Sequence, residues 1–186
     1  MEDRVSVAFG ATQRAGFLPR AARWRSAFDG PIDIGHGQTN SQPRTVAAML
    51  RLLEVREGDR VLDVGSGSGW TTALLAHLTG PAGEVVGVEL EPSLVDFGRA
   101  NLVRTGRPWA RIEQADPERL GWPDAAPYDR ILVSAQPRSL PPELVDQLAD
   151  DGRMVIPVSG TMLLVRRTPS GTVATEHGGY RFVPLR

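Results

Sequence analysis

The sequence predicts an α/β protein with a doubly wound, mostly parallel sheet closed by antiparallel strands at its C-terminal end. Three observations carry that prediction. Short apolar runs alternate with stretches of helical periodicity from residue 43 to residue 158. The first run, Val61-Leu62-Asp63-Val64, breaks into the glycine turn Gly65-Ser66-Gly67-Ser68-Gly69 and then into a helical pattern from Trp70. Beyond residue 158 the helical periodicity stops and only strand-like runs remain.

Taken in order, Val46, Met49, Leu50 and Leu53 recur at helical spacing behind Pro43, which suits a first helical turn with Ser41 or Gln42 as its cap. The turn Gly58-Asp59 starts a strand over 60–64, and Leu74, Leu75 and Leu78 mark a helix over 70–79. Glu84 to Glu89 is a second strand, Pro92 opens a helix reaching about Val103, and 110–114 is a third strand. A loop holding Pro117, Pro123 and Pro127 precedes the fourth strand, Tyr128 to Ser134. Leu140, Leu144, Val145 and Leu148 form the stripe of another helix, stopped by Asp151-Gly152, and 153–158 is the fifth strand. Residues 162–167 and 172–175 flank Pro169-Ser170-Gly171 as a hairpin, and 180–184 reads as a last short strand.

The glycine turn brings backbone against a ligand, where any Cβ would intrude. A dinucleotide fingerprint needs a third Gly or Ala three residues after the second glycine, and the two possible registers place Trp70 or Thr72 there. A phosphate-binding P-loop fails as well, because the chain contains no lysine. What remains is the Gly-x-Gly-x-Gly turn of proteins that bind S-adenosyl-L-methionine, made by Gly65, Ser66, Gly67 and Gly69. Glu89, with Leu90 beside it, ends the next strand 20 residues beyond Gly69, where a carboxylate accepts from two ribose hydroxyls. Asp116 follows the third strand, in reach of an adenine amino group.

The 186 residues, 41% of them hydrophobic, fit one domain: a substrate or lid segment with its helix over 1–57, a cofactor-binding core over 58–158, and closing strands over 159–186. With 21 basic against 22 acidic side chains the net charge is -1, so no nucleic-acid or membrane partner is expected. Cysteine is absent, and the three histidines, His36, His77 and His177, show no ligand spacing, so no metal is expected. Neither a signal peptide nor an apolar stretch of membrane length is visible, which makes a cytoplasmic protein the expectation, and a monomer is expected as well.

The segment expected to choose the acceptor is Ile34-Gly-His-Gly-Gln38-Thr39-Asn40-Ser41-Gln42-Pro43, polar and glycine-spaced, although on residues alone it serves equally as a helix cap. With Val61 to Trp70, Tyr128-Asp129-Arg130-Ile131, Gly152 to Val158 and Arg181-Phe182-Val183-Pro184-Leu185, it resembles the protein-L-isoaspartate O-methyltransferase family, in order, from about Val5 to the end. The resemblance implies a Rossmann-like methyltransferase fold and methylation of the free α-carboxylate of an isoaspartyl residue in a damaged protein or peptide. It maps the family's proposed catalytic serine onto Ser41, with Gln38, Thr39 and Asn40 lining the cofactor and substrate pocket. Asn40 stands where the family commonly has an apolar residue, and Gln114-Ala115-Asp116-Pro117 replaces its Gly-Asp-Gly. The stretch 159–178 is also short.

The chemistry matches the residues present. A carboxylate is ionised at neutral pH, so its attack on a sulfonium methyl needs alignment and a few fixed donors, Ser41 among them, rather than a strong base. Three side chains have two uses each on sequence grounds. Arg44 either draws an acidic peptide or faces solvent, Trp70 either stacks near the cofactor or packs, and Trp24 with Phe28 either roofs the pocket or closes the core. Alternative functions are a carboxyl methyltransferase that tailors one dedicated peptide, a methyltransferase acting on a small molecule or RNA, and a cofactor-binding relative without catalysis.

Overall fold

The computed structural model describes residues 3–186. Helix α1 (Arg4–Ala11) and two 3-10 turns, Arg14–Phe17 and Arg20–Arg25, precede a hairpin of β1 (Ile32–Gly35) and β2 (Gln38–Asn40). Then follow α2 (Pro43–Leu53), β3 (Arg60–Val64), α3 (Trp70–Thr79), β4 (Glu84–Glu89), α4 (Pro92–Val103) and β5 (Ala110–Gln114). The second half comprises β6 (Tyr128–Val133), α5 (Pro142–Asp146), β7 (Leu148–Val158), β8 (Thr161–Thr168) and β9 (Gly171–Gly179).

Seven strands form one sheet in the order β5-β4-β3-β6-β7-β8-β9. The first five in that order are parallel, while β8 and β9 join antiparallel. Alternation along the strands divides the core. Val61, Val85, Leu132 and Val155 pack with α1 to α4 on one face, and Leu62, Val86, Ile131 and Met154 face the other. That second face carries little helix: α5 is five residues long, and Leu120, Trp122 and the turn Pro123–Ala125 cover what a longer helix would. The chain winds outward through β4 and β5, then returns to the opposite side of β3 as β6. This places the topological switch point, where such sheets bind ligands, directly above Gly65.

Two elements differ from expectation. The predicted stripe over Leu140–Leu148 is split, because Gln147 turns its amide onto Glu143 O (2.9 Å) and Leu120 O (2.8 Å) and ends the helix. Leu148 therefore already pairs with Tyr128, and Asp151 (φ 61°) with Gly152 forms an irregularity inside β7 rather than a helix stop. The predicted strand 180–184 is irregular backbone. Gly178 (φ 92°) turns the chain away, and a single bridge, Gln136 to Pro184, remains of the ladder. Val183 O accepts from Gln136 N and Leu185 N donates to Gln136 O, so the segment crosses the carboxyl end of β6.

Candidate active site

At the carboxyl ends of the parallel strands lies a cavity of about 360 Å³, within the usual size range of small-ligand sites. Its floor is the turn after β3. Gly65 N and Ser66 N both donate to Val88 O of β4, at 2.9 and 3.0 Å, which fixes the turn to the neighbouring strand. Gly69 takes φ 84° to start α3, and a Cβ there would stand 3.1 Å from Gly98 O of α4. Its role is thus to let two helices close on the turn; Gly69 itself is off the cavity wall. Beneath, fully buried Asp63 accepts from Thr71 and Thr72 hydroxyls, both at 2.7 Å. Burial raises its carboxyl pKa to about 6.

The other expected residues, Gln38, Thr39, Asn40, Ser41, Gly65, Ser66, Gly67, Glu89, Leu90 and Asp116, all stand on the wall. Glu89 accepts from Gly67 N (2.9 Å) and Glu91 N (3.0 Å). These bonds use two of a carboxylate's roughly four acceptor positions, so a ribose diol still finds partners there. Ser66 lines the wall, while its Oγ is buried beneath it without a hydrogen-bond partner. Asp116 Oδ1 accepts from Glu118 N at 2.9 Å in a tight turn. Together the floor and the strand-end acids fit a nucleoside cofactor.

Ser41 arrives from a different direction, and its position is set by residues far away in sequence. The guanidinium of Arg14, 5% exposed, donates to Asn40 Oδ1 (2.6 Å), Phe28 O (2.7 Å), Gly30 O (2.8 Å), Asn40 O (2.9 Å) and Ser41 O (2.9 Å). Asn40 completes the link by donating to Ser68 Oγ of the glycine turn at 3.1 Å. The Asn40 departure is therefore a joint between the serine segment and the cofactor floor. Gln42 takes the N-cap position of α2, as expected, but its side chain makes no cap bond; instead Asp29 Oδ1 accepts from Arg44 N at 3.1 Å. That bond holds the Asp29 carboxyl below the usual range. No side-chain hydrogen bond among the described residues engages Ser41 Oγ, which leaves it available to a ligand.

Several ambiguities close. Arg44 is solvent-facing and paired with Asp29 at 2.9 Å. Trp70 is 3% exposed, donates to Thr12 O at 2.9 Å and meets Phe9 edge-on, so it chiefly packs. Trp24 and Phe28 neither roof the cavity nor close the core; both are exposed. Sequence reasoning missed His36 at the hairpin tip, bonded to Ser93 Oγ at 2.8 Å, and Arg119 in the loop beyond Asp116. It also missed that Val183 to Arg186 form cavity wall, although the Gly178-Gly179 pair marks where the last strand would break. Among the described residues no cluster of three or more His, Asp or Glu is placed to hold a metal ion.

A switch-point cavity floored by a glycine turn, edged by a strand-end acid and facing a free serine defines the class, a nucleoside-cofactor transferase of the doubly wound methyltransferase fold. A crystal structure of a Plasmodium falciparum protein-L-isoaspartate O-methyltransferase in complex with S-adenosyl-L-homocysteine superposes with a TM-score of 0.86 at 28% identity, covering 100% of this chain and 91% of that one. Protein-L-isoaspartate O-methyltransferases of Methanopyrus kandleri and Anaeromyxobacter dehalogenans are 43% and 44% identical to it, each over 98% of this chain and over 83% and 88% of their own lengths. The family model described as Protein-L-isoaspartate(D-aspartate) O-methyltransferase matches residues 1–186, and the chain belongs to that family.

Proposed function

We propose that this chain methylates the free α-carboxylate of L-isoaspartyl residues in damaged proteins or peptides, with S-adenosyl-L-methionine as donor. The observation that carries the reading is a single cavity wall on which the open Ser41 hydroxyl and the glycine turn stand together. The donor, when bound, supplies a methyl group already made electrophilic by its sulfonium. The chain's own task is then to hold and orient. Gly65, Ser66 and Gly67 receive the donor's backbone-facing edge, Glu89 beside Leu90 the ribose hydroxyls, and Asp116 the adenine amino group, with Gln38, Thr39 and Asn40 closing the side toward the acceptor. Gly69 serves by letting α3 start beneath them.

The acceptor is ionised at neutral pH, so no side chain has to remove a proton. Ser41 Oγ donates to the carboxylate and fixes which oxygen faces the methyl group, while the walls replace water around the anion. In this reading residues 1–57 present the substrate, 58–158 hold the cofactor and 159–186 close the sheet and the wall. The protein works as a cytoplasmic monomer. No described helix is long and apolar enough to cross a membrane.

The test is radiolabelled methyl transfer to an isoaspartyl peptide and its normal aspartyl twin. Wild type labels the former, and Ser41→Ala lowers kcat by about a hundredfold, the size of losing one fixed donor to an anion, while cofactor affinity by calorimetry stays within about twofold. Equal labelling of both peptides refutes the acceptor, and wild-type turnover in Ser41→Ala refutes the serine's role.

A further inference from the structure

The arm that Arg14 ties to Ser41 carries cations with no part in the steps above. Residues 4–28 contain Arg4, Arg14, Arg20, Arg23 and Arg25 and not one carboxylate, in a chain whose net charge is -1. The turn Arg20–Arg25 exposes three of these arginines together with Trp24, which is 83% exposed, and Phe28 beyond it is 51% exposed. Among the described residues no carboxylate lies within ion-pair distance of Arg20, Arg23 or Arg25. Arg25 instead rests over the Phe28 ring, 5.3 Å from its centroid.

This cationic, aromatic face is anchored beside the serine. Leu18 and Ala22 on the underside of the turn pack with Ile32 and Ile34 of the hairpin. At the other end, Phe28 O and Ser41 O accept from the same guanidinium, and Asp29 caps the helix that starts two residues after Ser41. Arg44, in the first turn of α2, is already neutralised by Asp29. An extended peptide advances about 3.3 Å per residue, so three or four residues flanking an acceptor at Ser41 span roughly 10–13 Å.

We propose that this face holds the acidic flank of the same peptide whose isoaspartyl carboxylate reaches Ser41, so that the enzyme favours damage sites lying beside aspartate or glutamate. The proposal rests on the carboxyl-methylation reading. Its basic run ends at Asp29 and occupies one short turn whose apolar side is already packed, which suits a peptide flank better than a polynucleotide backbone or a lipid surface.

The experiment compares one isoaspartyl core flanked, on either side, by three Glu, three Gln or three Lys, with kcat/KM measured at low and high salt. Glu flanks are expected to exceed Gln flanks by roughly three- to thirtyfold, as two or three exposed ion pairs allow, and the ratio to shrink in salt. In the variant Arg20→Gln/Arg23→Gln/Arg25→Gln the ratio falls to about one. Equal rates for all flanks in wild type, or a Glu preference that survives the triple variant, overturn the proposal. A Glu-flanked peptide bearing a normal aspartate reads docking without turnover, through a change in tryptophan fluorescence that Trp24→Phe abolishes. If no isoaspartyl peptide is methylated but that signal persists, the activity reading fails and the docking surface stands. Tighter binding of polyuridylate or of phosphatidylserine vesicles than of the acidic peptide overturns the choice of partner.

Discussion

Replacing Arg14 by methionine keeps an unbranched stem that reaches about as far as Arg14 Nε and removes the guanidinium beyond it. Five oxygens lose a donor, and three of those bonds, to Asn40 Oδ1, Asn40 O and Gly30 O, are fully buried. A buried acceptor left unpaired costs about 1–3 kcal/mol, so the three together cost roughly 3–9 kcal/mol. Against this stands the relief of a desolvated charge. Burial pushes the guanidinium down from its ordinary value to about 10, and at 1.36 kcal/mol per unit its removal returns about 3 kcal/mol. The balance centres near a loss of 3 kcal/mol, which for a chain of this size lowers Tm by about 6–12 °C. Differential scanning calorimetry of Arg14→Met reads it directly. Arg14→Lys should recover less than half, because one ammonium with three donors cannot span five acceptors in a plane. With Ser41 O untethered, kcat should fall further than cofactor affinity. Melting within 2 °C of wild type would refute the premise that these oxygens depend on Arg14.

The contrast between what the sequence disclosed and what it hid follows from how local each cause is. The strands β3, β4, β5 and β6 end where their apolar runs meet Gly65, Glu89, Gln114 and Ser134, so the strand ends, and with them the cofactor floor, are written in adjacent residues. The stripe Leu140–Leu148 misleads because Leu144 and Leu148 are both buried on the same face of the sheet although they belong to different elements. Only the tertiary bonds of Gln147 decide where helix gives way to strand. The site divides the same way. Ser41 is recognisable in its motif, but the groups that place it, Arg14 and Asp29, lie 27 and 15 residues from the atoms they bind. The arm and the wall Val183 to Arg186 have neither helical nor strand periodicity, so nothing in their composition announces that they border a cavity.

Two further outcomes test the floor of the site. Gly98→Ala puts a methyl group 3.0 Å from Gly67 O, a backbone atom that cannot swing aside, so the turn must shift. Calorimetry with S-adenosyl-L-methionine should show weakened binding with a stability loss of about 1–3 kcal/mol, and unchanged affinity would mean the turn is not held in shape by α4. Asp63 makes stability fall as pH rises. Its carboxyl titrates at about 6 in the folded chain against 3.8 unfolded, because burial disfavours the anion. Between those values the native state keeps a proton that the unfolded chain releases, so each step up in pH favours unfolding, and the effect ends above about pH 6. Of the roughly 3 kcal/mol that the shift represents, about 2 kcal/mol should develop between pH 4.5 and 7. Asp63→Asn removes the titration, so urea unfolding of the two proteins should show wild type losing about 2 kcal/mol relative to the variant across that interval. Parallel pH profiles would mean that Asp63 is as readily ionised inside the protein as outside it.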